Sequence, residues 1–396
     1  NITNTGTRTA DVTGNVTFTG DLGTFTTTIA TGNTLTAAAG KVDGKTIDGA
    51  GSLTVTSLLA TTDVSNFSMT GTVTVSGVAA ATQLTTLDGI TANAIAATGI
   101  TAISGTVAEA SAVLTAHGAG TILIDGDYTL DVSGAATAAQ LNALNTDTTG
   151  AVDIQDVTTI TMANPGVTLD LSNAGFTDGT SAFTITGGSG ADTITGGAGI
   201  DTINTGGGTD TVTGGLGADL ITLAGTGDVE TVVMTTGGAV AVDEITGFVV
   251  TAGEDELQVD LSDLNGLTGT MQLADATGAL AAGATNTLTV TALASAAGDF
   301  GGAASSLVTI TGATAYTEAT LETAIEGSGT AAGLTAGDSI LIMYDDTTSS
   351  YLALLTDNAG TGDGVAFTDI TITNLLEFTD VAAAESFLTT SFAIIA

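Results

Sequence analysis

Through much of the chain Thr alternates with Val, Ile or Leu, and short clusters of Gly, Asp and Asn interrupt the alternation. A period of two sends one set of side chains to a core and the other to solvent, so the pattern predicts short, half-buried strands. Asn15-Val16-Thr17-Phe18-Thr19 and Ser52-Leu53-Thr54-Val55-Thr56 are the clearest near the start. Ser339-Ile340-Leu341-Ile342-Met343-Tyr344 and Ala366-Phe367-Thr368-Asp369-Ile370-Thr371-Ile372 are their counterparts near the end, before an apolar tail, Phe392-Ala393-Ile394-Ile395-Ala396. Helical spacing is confined to short Ala-rich pieces. The expected class is all-β.

Two kinds of repeat divide the chain. From Gly71 an internal repeat has an offset of 57 residues: Val75-Ser76-Gly77 returns as Val132-Ser133-Gly134, Gln83-Leu84 as Gln140-Leu141, and Leu87 as Leu144. Ile100-Thr101 and Ile103 likewise match Val157-Thr158 and Ile160. Each copy reads as strand, Gly, short helix with Leu at i and i+3, loop and strands. Residues 108–116 make another short helix candidate. Units of this kind stack, each covering the apolar face of the next. The predicted organisation is an N-terminal β region (1–70) with a possible assembly strand, a stacked β-repeat region with short helices (71–177), a central parallel β-roll (178–232) and a β-rich C-terminal region (233–396). Within the last, residues 265–335 are rich in Ala, Gly and Thr and give little to read.

The central stretch falls into nines. Gly187-Gly188-Ser189-Gly190-Ala191-Asp192-Thr193-Ile194-Thr195 is followed by Gly196-Gly197-Ala198-Gly199-Ile200-Asp201-Thr202-Ile203-Asn204. A third unit starts at Thr205 and carries Gly206, Gly208, Asp210 and Val212; the fourth carries Gly215, Gly217, Asp219 and Ile221. Glycines let the backbone turn tightly so that carbonyl oxygens converge, and Asp supplies the hard anionic oxygen that calcium prefers. The aliphatic residue at the eighth place enters a narrow core. Two nines make one coil, which puts Asp192 and Asp210 on one edge and Asp201 and Asp219 on the other. Ile185, Ile194, Ile203, Val212 and Ile221 then form ladders with coils roughly 4.8 Å apart. Such a thin core cannot offset chain entropy while its carboxylates repel, so the segment is expected to fold only on binding Ca2+. A flexible linker would not keep Gly, Asp and aliphatic residues in phase through four units.

These residues resemble the RTX (repeat-in-toxin) family of bacterial secreted proteins. The resemblance implies metal contacts at Gly188, Gly190, Asp192, Gly197, Gly199, Asp201, Gly206, Gly208, Asp210, Gly215, Gly217 and Asp219. Thr205 departs from the family's Gly, and 223–231 keeps Asp228 but loses the glycine pattern, which weakens the case for a site there. Val242-Asp243-Glu244-Ile245-Thr246-Gly247-Phe248, with Glu254-Asp255-Glu256-Leu257 and Asp260-Leu261-Ser262, resembles the segment that follows the roll in this family. The apolar C-terminus resembles an uncleaved type I secretion signal. Together they imply export into a calcium-rich exterior.

Charge narrows the functions further. The 396 residues include 3 Lys and Arg against 42 Asp and Glu, for a net charge of -39. Phosphate binding needs cations to replace counterions, so nucleic acid is excluded as a partner, and an anionic bilayer repels the same surface. No apolar run approaches the ~18 residues of a membrane helix, so membrane insertion is not expected. Without Cys there is neither disulfide nor thiol chemistry. The opening Asn1-Ile2-Thr3-Asn4 has no Met and no basic-then-apolar signal, and reads as a processed product, a fragment or a protein exported by another signal.

Catalytic groups are scarce. His117 is the single histidine. A zinc protease of the HExxH type needs two, and no Gly-x-Ser-x-Gly elbow accompanies it. Acidic pairs of the glycosidase kind stay open, although carbohydrate-cleaving grooves are commonly aromatic and this chain has no Trp and 4 Tyr. Asp125 and Asp127, Asp345-Asp346, and Asp357-Asn358-Ala359-Gly360 are either further calcium loops or solvated turns. The expectation is a non-enzymatic, secreted structural protein that self-assembles with calcium into an S-layer or extracellular filament. Its partner would be a second copy of itself, and possible others are cell-surface lipopolysaccharide or polysaccharide. The alternative is a calcium-dependent adhesin or glycan-binding module.

Overall fold

The computed structural model describes residues 9–163, 166–224, 227–234, 241–250, 254–260, 270–271, 274–275, 278–279, 290–293, 307–310, 315–326, 338–346, 348–358, 369–381 and 392–395. It is an all-β protein of mostly parallel ladders with a few short helices. Two compact units divide the chain, residues 1–158 with 173–177, and residues 159–172 with 178–396.

The first unit is a coil of stacked strands. Strands β1 (Thr9–Val12), β3 (Thr26–Ile29), β5 (Ile47–Gly49) and β7 (Phe67–Met69) form one parallel sheet, and β2 (Val16–Phe18), β4 (Thr34–Ala38), β6 (Ser52–Leu58) and β8 (Val73–Ala80) the other. Alternation explains the register. Leu35 pairs with Leu53 and Leu53 with Val73, while Val55 pairs with Val75; all point inward and are buried. The intervening Thr residues face outward.

After β8 helices take over one wall. The ladder continues through β9 (Ile95–Thr106) and the strand Thr129–Thr137. Opposite it lie α2 (Ala81–Ile90), α3 (Val107–Ala119) and α4 (Ala138–Asp147), α3 packing against both of the others; the short α1 (Ala39–Val42) precedes them. Thr106 with Glu109 and Thr137 with Gln140 close reciprocal caps on α3 and α4, satisfying backbone N–H groups of the first turn. Leu84, Leu87, Leu141 and Leu144 are fully buried, as the i, i+3 spacing of the repeat requires.

The coil has half the period read from the sequence. Ile103-Ser104-Gly105 stands midway between Val75-Ser76-Gly77 and Val132-Ser133-Gly134. Each of the three leads into a helix, so the offset between the outer two spans a pair of coils.

The second unit holds the nonapeptide segment and the C-terminal region. Its C-terminal region is a second core: strands Asp338–Asp345, Ser350–Asp357 and Ile370–Phe378 run antiparallel, and strand Leu307–Ile310 joins the first of them in parallel. Helix Glu318–Ile325 buries Leu321 and Ile325 against Ile340, Ile342, Ile370 and Ile372. A strand at Val290–Leu293, one at Leu307–Ile310 and this helix thus lie in the stretch that gave little to read. Of the predicted strand over residues 366–372, residues 366–368 lie outside the described ones. Among the described residues no helix is long and apolar enough to cross a membrane.

The helical coils rest on ordinary burial. Leu141→Ala is expected to lower stability by about 2–5 kcal/mol, and Thr137→Ala, which removes a cap, by about 1 kcal/mol. Both losses should be the same with calcium as with chelator. Urea unfolding of the two variants measures them, and a calcium-dependent loss would contradict the assignment.

Candidate metal centre

Each nine-residue unit contributes one three-residue strand: Thr193–Thr195, Thr202–Asn204, Thr211–Thr213 and Leu220–Thr222. In each the middle residue points inward. The strands alternate between two parallel sheets, giving the ladders Ile185, Ile203, Ile221, Ile245 on one side and Leu169, Ile194, Val212, Val232, Leu257 on the other. All nine side chains are buried. The pairings Thr184↔Thr202 and Thr193↔Thr211 fix each coil at two nines.

The turns between strands stack so closely that side chains are excluded. Gly206 (φ 85°) and Gly215 (φ 113°) have left-handed backbone, and a Cβ on either would strike a carbonyl oxygen of the coil before it, that of Gly188 or Gly197. Backbone carbonyls are thereby held at the edges, where Gly207 N–H donates to Gly188 O (2.8 Å) and Leu216 N–H to Gly197 O (3.0 Å). Thr205, which replaces the expected Gly, fits: its N–H donates to Thr222 O at 3.0 Å, as Gly196 N–H does to Thr213 O.

The four aspartates fall on two edges. On one, Asp192 N–H donates to Asp210 Oδ1 (2.7 Å); on the other, Asp201 N–H donates to Asp219 Oδ1 (2.8 Å). Gly188 and Gly197 donate to the second oxygens of Asp192 and Asp201 at 2.8 and 3.0 Å. Asp192, Asp201, Asp210 and Asp219 are at most 2% exposed, yet Oδ2 of Asp210 and Oδ2 of Asp219 are buried with no hydrogen-bond donor. Arg8, Lys41 and Lys45, the whole basic complement, belong to the first unit, so the second has no lysine or arginine of its own to compensate them. Orphaned anionic oxygens beside constrained carbonyls are the donor set a hard divalent cation takes. No three acidic or histidine side chains come together among the described residues, so backbone carbonyls must complete the shell.

Burial sets the electrostatics. It raises Asp201 and Asp210 above the ordinary carboxylate range, with Asp178 adding to the first effect and Asp192 and Asp228 to the second. Asp219 is pushed up to about 6 and Asp243 to about 7, again by burial first and then by the neighbouring carboxylate.

Several participants escaped the sequence pattern. Asp178 accepts from Ala198 N–H (2.9 Å) in the turn that carries Gly197 and Gly199. Asp243 accepts from Asp219 N–H (2.9 Å) and extends that edge. The other edge continues through Glu230, not Asp228. Thr211 pairs with Thr231, where the nine-residue phase would put Val229, so Glu230 occupies the rung after Asp210. Two extra residues before it spoil that phase. Of the other candidates, Asp125 and Asp127 are exposed, and Asp346 accepts from Thr348 and Ser349 N–H at 3.0 Å. Asp345 ends the first strand of the meander and Asp357, which is buried, ends the second. Asn358 follows it in a bend, its N–H donating to Asp369 O at 3.0 Å. His117 is tied to the chain after α3, its Nδ1 3.1 Å from Ile122 O.

Residues 186–221 match the RTX calcium-binding nonapeptide repeat in four copies. Repeats of this kind bind calcium ions, and calcium is the ion of this roll. No curated protein matches the chain.

Two outcomes follow for calcium and protons. In chelator at neutral pH the roll's strand signal in far-ultraviolet circular dichroism should be lost, and calcium titration should restore it. Asp201→Asn should raise the calcium midpoint by about tenfold or more, the loss of ~1.4 kcal/mol. A carboxyl raised by folding stabilises the fold while protonated, fully so below the unfolded value near 3.8, and that stability disappears as pH rises through about 6 to 7. Metal-free protein should therefore hold more strand at pH 5 than at pH 7.5. With calcium, which needs the ionised carboxylates, the order should reverse, and identical pH profiles in the two conditions would contradict this electrostatic picture.

Proposed function

We propose that the chain is an extracellular structural protein that self-assembles in a calcium-dependent way, as the subunit of a surface layer or filament. The observation that carries the reading is the calcium roll within a chain of net charge -39. Copies of so acidic a protein repel one another, and divalent ions that order the roll also screen and bridge acidic faces. The parallel ladders supply a second ingredient. Among the described residues β1 and β2 are each paired on one side, with β3 and β4. A strand from a neighbouring copy could add to the sheet along the other side of either strand. Type I export fits the same reading, because a chain that meets calcium only outside the cell delays folding until then. We assign no reaction to the chain and read its principal partner as another copy of itself.

Electron microscopy and light scattering of purified protein test this. Millimolar calcium should produce ordered sheets or filaments that disperse in excess chelator. Assemblies that persist unchanged in chelator, or protein that stays monomeric at high concentration with calcium, would overturn the proposal. Monomeric protein retained by a lipopolysaccharide or polysaccharide column would point instead to an adhesin or glycan-binding module.

A further inference from the structure

We propose that Glu230 ligates a calcium ion outside the four matched repeats, between its own carboxylate and that of Asp210 on the same edge of the roll. The inference rests on the calcium reading of the roll and extends it to a turn without the nonapeptide glycines.

Glu230 stands where an aspartate stands in the repeats. Thr211 N–H donates to Asp192 O, Thr231 N–H to Asp210 O, and Glu256 N–H to Glu230 O, at 2.8 to 2.9 Å, so Asp192, Asp210 and Glu230 are successive rungs. The carboxylate ladder also runs on. Glu230 N–H donates to Asp255 Oδ1 (3.0 Å) as Asp192 N–H does to Asp210 Oδ1.

The side chain receives no donor: the carboxyl within hydrogen-bonding reach of it is that of Asp255, an acceptor like itself. Glu230 is 0% exposed, and neither Oε1 nor Oε2 receives a hydrogen bond; the open Oδ2 of Asp210 is on the adjoining rung. Asp255 accepts at Oδ1 from Glu230 N–H and at Oδ2 from Val249 N–H at 2.8 Å, so it brings negative charge and no donor to Glu230. Asp228 adds negative charge, its Oδ2 lying 3.6 Å from where a Cβ on Gly207 would stand. Buried carboxylates so placed, with no lysine or arginine in the unit, demand either a bound cation or a shared proton. Glutamate, one methylene longer than aspartate, reaches a calcium ion with one oxygen or both.

Counting bound calcium separates the cases. The full chain and its Glu230→Gln, Glu230→Asp and Asp201→Asn variants are dialysed against a series of free calcium concentrations, and bound metal is measured by atomic absorption. Near-ultraviolet circular dichroism from the stacked Tyr344 and Tyr351 reports that the C-terminal core is intact. E230Q should bind one ion fewer than the natural chain, and E230D, which keeps the charge, the full number. If E230Q matches the natural chain in number and midpoint, Glu230 and Asp255 share a proton instead and the inference fails. It fails too if E230Q and E230D lose the ion alike, since packing and not charge would then be responsible. D201N, altered on the opposite edge, keeps the outcomes distinct: its losing an ion while E230Q loses none leaves the repeats as calcium sites, and no binding to the natural chain would sink both.

Discussion

Negative charge buried beside backbone carbonyls, with no positive side chain to meet it, governs the second unit of this protein. Removing an ionised carboxylate from water costs several kcal/mol unless it is paired. The roll does this on rung after rung, with one inward aliphatic residue per strand as its hydrophobic return. Fully burying such a residue contributes only about 1.5–3 kcal/mol, while ordering each backbone residue costs about 1–2 kcal/mol. Three-residue strands joined by six-residue turns cannot close that gap alone. Calcium is the counter-charge such carboxylates call for, and a metal that binds only the folded chain adds its binding free energy to folding. Mass action then makes stability follow the ion: each site adds about 2.7 kcal/mol at one hundred times its dissociation constant.

The first unit solves the same problem of stacking strands with different means. Its later coils are long enough to include a helix, and the helix widens the core. Leu84 and Leu87 of α2, Val107, Ala110 and Val113 of α3, and Leu141 and Leu144 of α4 are buried opposite the rungs Ile103, Leu130 and Val132. The N-termini of α3 and α4 are closed by side-chain caps. Acidic residues in this unit lie mostly on the surface, where water and salt screen them. The two units therefore differ less in how much charge they carry than in whether that charge is buried.

This contrast explains what was legible in the sequence. Nine-residue phase is short and strict because each position has one stereochemical duty, so Gly206, Asp210 and Val212 stay recognisable even after Thr205 breaks the consensus. The helical coils tolerate substitution, since any apolar residue of fitting size serves. Their period was read at twice its length because α2 and α4 share Gln-Leu at Gln83-Leu84 and Gln140-Leu141, whereas α3 has Glu109-Ala110. Ile103-Ser104-Gly105 was the surviving mark of the intermediate coil. Glu230 was hidden for another reason: its role is fixed by strand register, and two inserted residues leave Asp228 in the expected place while Glu230 takes the rung. The core around helix Glu318–Ile325 is held by contacts between elements far apart in sequence, such as that helix with strand Ile370–Phe378, which no local period reveals.

The roll's edges also decide how the rest of the second unit attaches. Asp219 N–H meets Asp243, Leu220 pairs with Glu244, and the strand Asp243–Thr246 then pairs in parallel with residues 376–378 of the C-terminal meander. On the opposite sheet Thr231–Met234 pairs with Glu256–Asp260, which in turn pairs with Phe392–Ile395 of the apolar tail. Both connections are parallel and join residues far apart along the chain, so each must wait for a preformed edge before its loop closure is repaid. That edge is the last coil of the roll. The roll thus serves the unit beyond its own turns: its last strands are the edges on which the C-terminal strands and the apolar tail complete their sheets.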